Sequence, residues 1–202
     1  MEATGVLLVG GSSRRMGTHK ALVPLGGRPC AAYVLDALDG AAGEVLVIGG
    51  VEGLDLAGRR RLPDARPGSG PLGGLETALA AAAYDVCLVV ACDMPLVTPE
   101  LLRHILDRMD RSLAAVPRAG GRLHPLCAAY SRACLPAVRA RLDRGELSMM
   151  SFLEEIQPRI VSIDGAFPPG GEDPMLNMNA PADAVRAERA LALRRSGPAT
   201  GP

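Results

Sequence analysis

A chain of 202 residues suits one domain, and a chain of this size buries about 70% of its unfolded surface without help from disulfides. Its 22 Lys and Arg balance 22 Asp and Glu, and a net charge of +0 argues against a general nucleic-acid or anionic-membrane binder. No apolar run reaches the roughly 18–20 residues of a membrane span, and with 48% hydrophobic but only 2% aromatic residues the core must be aliphatic, which excludes a disordered, collagenous or secreted disulfide-scaffold chain.

In chain order, the apolar run Gly5–Val9 predicts a strand that opens into a Gly/Ser/Arg loop, followed by a helix over Cys30–Leu38. Glu44–Ile48 predicts a second strand closed by Gly49-Gly50, and Leu72, Leu75 and Leu79 share one face of a helix over Pro71–Ala83. The continuous run Asp85–Ala91 has the pattern of a central parallel strand covered on both faces. Thr98-Pro99-Glu100 starts the next helix with a capping residue and a first-turn proline. Strands are expected at Leu113–Val116, Leu126–Tyr130 and Arg159–Ile163, with helices at Ala133–Leu142, Ser148–Ile156 and Pro181–Leu193. Arg59-Arg60-Arg61 is expected in a solvated turn, or to steer an anionic substrate, and residues 196–202 in a disordered tail after a single domain over 1–195.

This alternation predicts an α/β fold, a single-domain Rossmann-like three-layer sandwich with a mostly parallel sheet. Such sheets bind ligands beyond the C-terminal ends of their strands. Cys30, Cys87, Cys92, Cys127 and Cys134 form no CxxC pair, and the N-terminus MEATGVLLVGG lacks the basic start and cleavage site of a secretory signal. Reduced, buried thiols in a cytoplasmic protein are therefore expected. His19, His104 and His124 show no metal-ligand spacing, and no GxSxG elbow is present.

The segment Leu8-Val9-Gly10-Gly11-Ser12-Ser13-Arg14-Arg15-Met16-Gly17-Thr18-His19-Lys20 directly follows the first expected strand. Glycines there let backbone amides converge on an anion, and Arg15 and Lys20 add positive charge suited to a triphosphate. A plain βα turn is the other reading of the same residues. The spacing fits neither a P-loop nor the GxGxxG dinucleotide fingerprint, which counts against a Rossmann redox enzyme. It does resemble the N-terminal signature of the molybdenum cofactor guanylyltransferases, approximately LAGGxSxRMGxDKxLxxxxGxP, within the wider nucleoside-triphosphate transferase group. Leu8, Gly10, Gly11, Ser13, Arg15, Met16, Gly17, Lys20, Leu22, Gly27 and Pro29 match in order, with Val9 in place of Ala and His19 in place of Asp.

Further matches follow down the chain. Asp93 in Ala91-Cys92-Asp93-Met94-Pro95 ends the apolar run, where a carboxylate either serves Mg²⁺ or caps the next turn. The resemblance implies the metal role. Asp64 and the segment Gly68-Ser69-Gly70-Pro71-Leu72-Gly73-Gly74-Leu75 resemble the family's D…GPLxGL element. By glycine and proline content alone that segment is a surface turn; by resemblance Asp64 and the backbone of Gly70, Pro71 and Leu72 contact the nucleotide. Asn177-Met178-Asn179-Ala180-Pro181 resembles the family's N-x-N-T-P element. At period two its asparagines share one strand face and hold the acceptor, or they cap the final helix. An Asn that often touches the nucleotide after the second strand is absent here, where the chain reads Ile48-Gly49-Gly50.

The resemblance implies transfer of GMP from GTP to molybdopterin with release of pyrophosphate. It implies Arg15, Lys20 and Asp93 as catalytic residues and Leu8, Val9, Gly10, Gly11, Lys20, Asp64, Gly70, Pro71, Leu72 and Asp93 around the nucleotide. Asn177 and Asn179 would contact the acceptor, Asp93 would hold Mg²⁺, and molybdoenzyme maturation proteins would be partners. A cytidylyltransferase acting on molybdopterin or a sugar-like phosphate is the alternative of the same class, although Gly10-Gly11 and Asn177-Met178-Asn179 favour guanine. A non-catalytic GTP-binding partner in cofactor insertion is the alternative of another class.

Overall fold

The computed structural model describes residues 1–10, 19–164 and 173–196. Its backbone is a mixed sheet whose two faces are both covered, because every central strand is apolar on both sides. In β1 (Thr4–Val9), Leu7 and Val9 point to one helical layer and Val6 and Leu8 to the other. The same split by alternate residues recurs in β4 (Glu44–Gly49), with Val47 against Leu46 and Ile48, and in β6 (Val86–Ala91), with Leu88 and Val90 against Cys87 and Val89.

One layer consists of α1 (Cys30–Asp39) and α3 (Pro99–Leu106), which seat Val34, Leu38, Leu101 and Ile105 on the sheet. The opposite layer contains α2 (Gly70–Ala81), α4 (Leu135–Asp143) and α5 (Met149–Ile156), carrying Leu72, Leu75, Val138 and Phe152. Full burial of each such side chain contributes about 1.5–3 kcal/mol. Thr98 caps α3 by accepting a hydrogen bond from the Leu101 amide, and Ser148 caps α5 through the Ser151 amide, as their sequence positions suggest.

A hairpin of β2 (Pro24–Leu25) and β3 (Arg28–Pro29) follows β1. The remaining strands are β5 (Arg60–Leu62), β7 (Ala114–Ala119), β8 (Arg122–Leu123), β9 (Cys127–Ser131) and β10 (Arg159–Ser162). The sheet runs β10-β7-β9-β6-β1-β4-β5, with β8 paired to β7. The pairs β1–β4, β1–β6, β4–β5 and β7–β10 are parallel.

Three expectations need correction. First, β6 has a parallel neighbour only in β1; on its other side β9 runs antiparallel. Only residues 120–126 separate β7 from β9, too few for the crossover that a parallel pair demands, and the Gly120–Gly121 turn sends the chain straight back through β8. Second, Arg60 and Arg61 are not in a turn but in β5, the edge strand that lies parallel to β4. Third, Asn177 and Asn179 do not lie on a strand; their segment pairs with no sheet.

The last helix, α6 (Pro181–Ser196), packs Ala187, Ala190 and Leu191 on the β2–β3 hairpin and on Leu96 and Met178. Asp183 in its first turn accepts from the amides of Asn179 and Ala180, the backward reach of a capping box. The helix runs three residues past its expected end and takes in Ser196, expected in the tail; residues 197–202 lie outside the described residues. All five cysteines are free and buried. No helix among the described residues is long and apolar enough to cross a membrane.

Candidate active site

The strand order makes a crevice before any side chain is considered. From β1 the chain leaves toward β4, and from the adjacent β6 it leaves toward β7, so the loops after these two neighbours diverge. Such a switch point opens a cleft beyond the C-terminal strand ends. A cavity of about 670 Å³ lies there, lined by Leu8 and Val9 from β1, Gly10 just after it, Asp64 from the loop after β5, Gly70 and Pro71 from α2, and Lys20 and Asp93.

Asp93 follows β6 by two residues, and its backbone is held from three directions. The Cys92 amide donates to the Leu8 carbonyl at 3.1 Å, the Cys30 thiol donates to the Cys92 carbonyl at 3.2 Å, and the Met178 amide donates to the Asp93 carbonyl at 2.9 Å. The carboxylate is 16% exposed and accepts from Lys20 Nζ at 2.9 Å. The same ammonium donates to Asn179 Oδ1 at 2.6 Å. Lys20 itself begins a single 3₁₀ turn, whose start His19 caps through Nδ1, accepting from the Ala21 amide at 3.3 Å.

Sequence distance hides this triad: Lys20, Asp93 and Asn179 come from three remote segments, and a fixed backbone brings them together. Met178 is buried while Asn177 and Asn179 on either side of it are exposed. Asp183 takes over the capping, which frees the Asn179 amide to hold Lys20 rather than the helix end. Asn177 makes no side-chain hydrogen bond among the described residues.

The far wall is built by Asp64 and the start of α2. Asp64 Oδ1 accepts from the Arg66 amide at 2.9 Å, which fixes the loop leading into the helix. No side chain caps the N-terminus of α2, where Ser69 makes no capping hydrogen bond, so its free amides and positive dipole end stand at the cavity wall. Leu72 differs from the rest of its predicted group: its side chain is fully buried under the sheet, and it can face a ligand only through its backbone. Gly11 and Arg15 lie outside the described residues.

Gly49 closes the rim after β4. Its φ is +80°, and a Cβ there would lie 2.3 Å from the Val9 carbonyl, so only glycine fits this close approach of the two strand ends. Beyond it stands Arg61, whose Nε donates to the Gly49 carbonyl at 2.9 Å. Arg61 was expected in a solvated turn or as a charge that steers an anionic substrate, and its place on an edge strand beside the cavity was not. The signal that could have found it is the run Leu62-Pro63-Asp64, which places an apolar residue just before an acid, as at the end of β6.

Burial makes the nearby thiols poor reagents. It raises the Cys30 thiol well above its ordinary range, with the neighbouring Cys92 adding to the rise, and pushes Cys92 up to about 12 with help from the charge of Asp93. Neither is a thiolate near neutral pH, so the chemistry of the cavity is that of oxygen and ammonium groups.

What the cavity can do is clear from these donors. Lys20 and the open end of α2 both attract an anion, while Asp93 supplies one hard oxygen ligand. Comparisons with known proteins agree with that reading. A family model described as a MobA-like NTP transferase domain matches residues 5–159. A relative from Pelotomaculum thermopropionicum, named "Probable molybdenum cofactor guanylyltransferase", is 40% identical over 98% of this chain and 97% of its own. The molybdenum cofactor guanylyltransferase of Cereibacter sphaeroides is 36% identical over 95% of this chain and 98% of its own. Among solved structures, molybdopterin-guanine dinucleotide biosynthesis protein A from Archaeoglobus fulgidus superposes with a TM-score of 0.79 at 25% identity, covering 94% of this chain and 99% of the other. With most of its length under the family model and its strand-end cavity in the expected place, the chain belongs to the MobA-like NTP transferase family.

Proposed function

We propose that this protein is a molybdenum cofactor guanylyltransferase that transfers GMP from GTP to molybdopterin. The observation that carries this reading is the pairing of Lys20 with Asp93 in the wall of the cavity between β1 and β6, with Asn179 holding the same ammonium. The terminal phosphate oxygen of molybdopterin forms a bond to the α-phosphorus of GTP, and the bond to the β-phosphate oxygen breaks, releasing pyrophosphate. The attacking phosphate is ionised near neutral pH, so no protein base has to remove a proton.

Catalysis of this kind rests on positioning and on neutralising charge as it moves. Lys20 carries the mobile positive charge, and Asn179 steers its ammonium toward the cavity. The backbone of Leu8, Val9 and Gly10 would form the floor under the phosphates, and Gly11 and Arg15 would contact them as well. The amides at Gly70 and Pro71, with Asp64 beside them, border the end that takes the nucleoside. Asn177, exposed like Asn179, would meet the acceptor.

A nucleotidyltransferase family implies a divalent metal, and the donors suit one that completes its shell with phosphate oxygens and water. No group of three or more His, Cys, Asp or Glu among the described residues could hold an ion alone. One carboxylate opening on a phosphate site is the arrangement that suits Mg²⁺. Asp93 would hold Mg²⁺, and the ion would supply further charge neutralisation on the phosphates. A cytoplasmic location and delivery of the product to molybdoenzyme maturation proteins complete the proposal.

Pyrophosphate release on mixing protein, Mg²⁺, molybdopterin and GTP tests the reading, with CTP in a parallel reaction. Release with GTP well above that with CTP is expected. Release with CTP alone would favour the cytidylyl reading, and GTP binding without release would favour a non-catalytic partner.

A further inference from the structure

Arg61 is the charged group bordering the site that the reaction above does not use. It lines a second cavity, about 530 Å³, together with Gly49, Gly50, Pro63, Asp64 and Pro67. Gly49, Asp64 and Pro67 also line the first cavity, so the two spaces adjoin. The guanidinium is pinned by one donor: Nε gives its hydrogen to the Gly49 carbonyl at 2.9 Å. Its two terminal nitrogens make no hydrogen bond among the described residues. A Cβ built on Gly50 would lie 2.4 Å from Arg61 Nε and 2.5 Å from Cζ, so the planar group covers the face where a side chain at position 50 would begin. The bare glycine and the arginine are matched: a larger residue at position 50 would evict the guanidinium.

We infer that Arg61 is a base-recognition residue, reading the O6 and N7 acceptors of the guanine ring while Asp64 faces the ring's N–H donors. This inference rests on the GTP reading above and deepens it. A guanidinium held at Nε presents its remaining N–H groups as a fork, which matches the two adjacent acceptors of guanine. Asp64 uses Oδ1 for the Arg66 amide, and its Oδ2 makes no hydrogen bond among the described residues. An acceptor and a pair of donors thus border one space, as the two sides of a guanine require. Spacing agrees as well. From β6, whose end carries Asp93, to β5, which carries Arg61, the sheet takes three strand steps of about 4.8 Å, or roughly 14 Å, within reach of an extended nucleoside triphosphate. A pyrimidine has no five-membered ring and so no counterpart of the O6/N7 pair.

Calorimetric titration of the full chain with GTP, 7-deaza-GTP and ITP in the presence of Mg²⁺ tests the inference, using wild type, Arg61→Ala and Arg61→Lys. Wild type is expected to bind GTP on the order of 5-fold more tightly than 7-deaza-GTP, which lacks N7. Arg61→Ala should lose about 10-fold or more in GTP affinity and no longer distinguish GTP from 7-deaza-GTP, while its preference for GTP over ITP, which lacks the 2-amino group facing Asp64, persists. Arg61→Lys should recover part of the affinity but not the discrimination. Unchanged GTP affinity in Arg61→Ala, or lost affinity with the 7-deaza discrimination intact, would overturn the base contact and leave guanylyl transfer standing. Failure of the wild type to bind GTP would overturn both readings. Thermal melting of each variant separates these outcomes from misfolding; Arg61 is exposed, and melting within about 2 °C of wild type is expected.

Discussion

Replacing Asp93 by Asn separates the catalytic meaning of this residue from its structural one. The variant keeps the shape and an oxygen acceptor for Lys20 but removes the negative charge 2.9 Å from the ammonium. At that distance and an effective dielectric of about 20, the attraction is about 6 kcal/mol before solvation is counted. Both groups keep contact with water, with side chains 25% and 16% exposed, and desolvation offsets most of that attraction. The net stability loss should be about 1 kcal/mol, a fall of roughly 2–4 °C in Tm for a chain of this size. The rate loss should be far larger, because a neutral amide cannot replace the carboxylate that would hold the metal against the phosphates: on the order of 10²–10³-fold in kcat, or about 2.7–4 kcal/mol. Pyrophosphate release under saturating GTP and molybdopterin measures the first quantity, and thermal melting the second. A variant that turns over within about threefold of wild type would refute the role of Asp93. A collapse in Tm with proportionate loss of activity would show that the residue only holds the fold.

Other expected outcomes follow from the same geometry. Lys20→Ala should raise the KM for GTP and lower kcat together, whereas Asn179→Ala, which only releases the ammonium from one partner, should cost about 10-fold or less in kcat/KM; steady-state kinetics distinguish the two. Gly49→Ala places a Cβ against the Val9 carbonyl at a φ of +80° and should destabilise by more than about 2 kcal/mol, read by urea unfolding. Burial pulls the half-buried His124 imidazole below the usual histidine range, against the raising influence of Asp173 and with the lowering influence of Arg122. Its unfolded form therefore takes up a proton first as pH falls, so stability should be flat above about pH 6.5 and decline below it. Urea midpoints across pH 5–8 should show that decline in wild type and a smaller one in His124→Gln.

The sequence disclosed the parts of this molecule whose physics is local. Short apolar runs marked β1, β4 and β6, and Thr98 and Ser148 marked helix starts that the structure reproduces. Asp93 was legible because an acid after an unbroken apolar run stands at a strand end, and Lys20 because glycines and cations follow β1 directly. Features that depend on partners were not legible. Arg60 and Arg61 become a strand only because the exposed edge of β4 is there to pair with. The reversal of β9 was available in principle from the short link between β7 and β9, but an apolar run reads alike in either direction. Asn179 was recognised for its residue type, yet its work could not be derived from a strand pattern. That work depends on Met178 docking on the Asp93 backbone and on Asp183 taking over the helix cap.

The central claim, that the loop leaving β1 and Asp93 grip one nucleotide and direct attack on its innermost phosphorus, is tested most directly by following the label of GTP through a single turnover. With Mg²⁺ and molybdopterin present, radioactive phosphorus in the α position should appear in the pterin product, and label in the γ position should leave in pyrophosphate. Gamma label on the pterin, or equal incorporation from α-labelled CTP, would contradict the account.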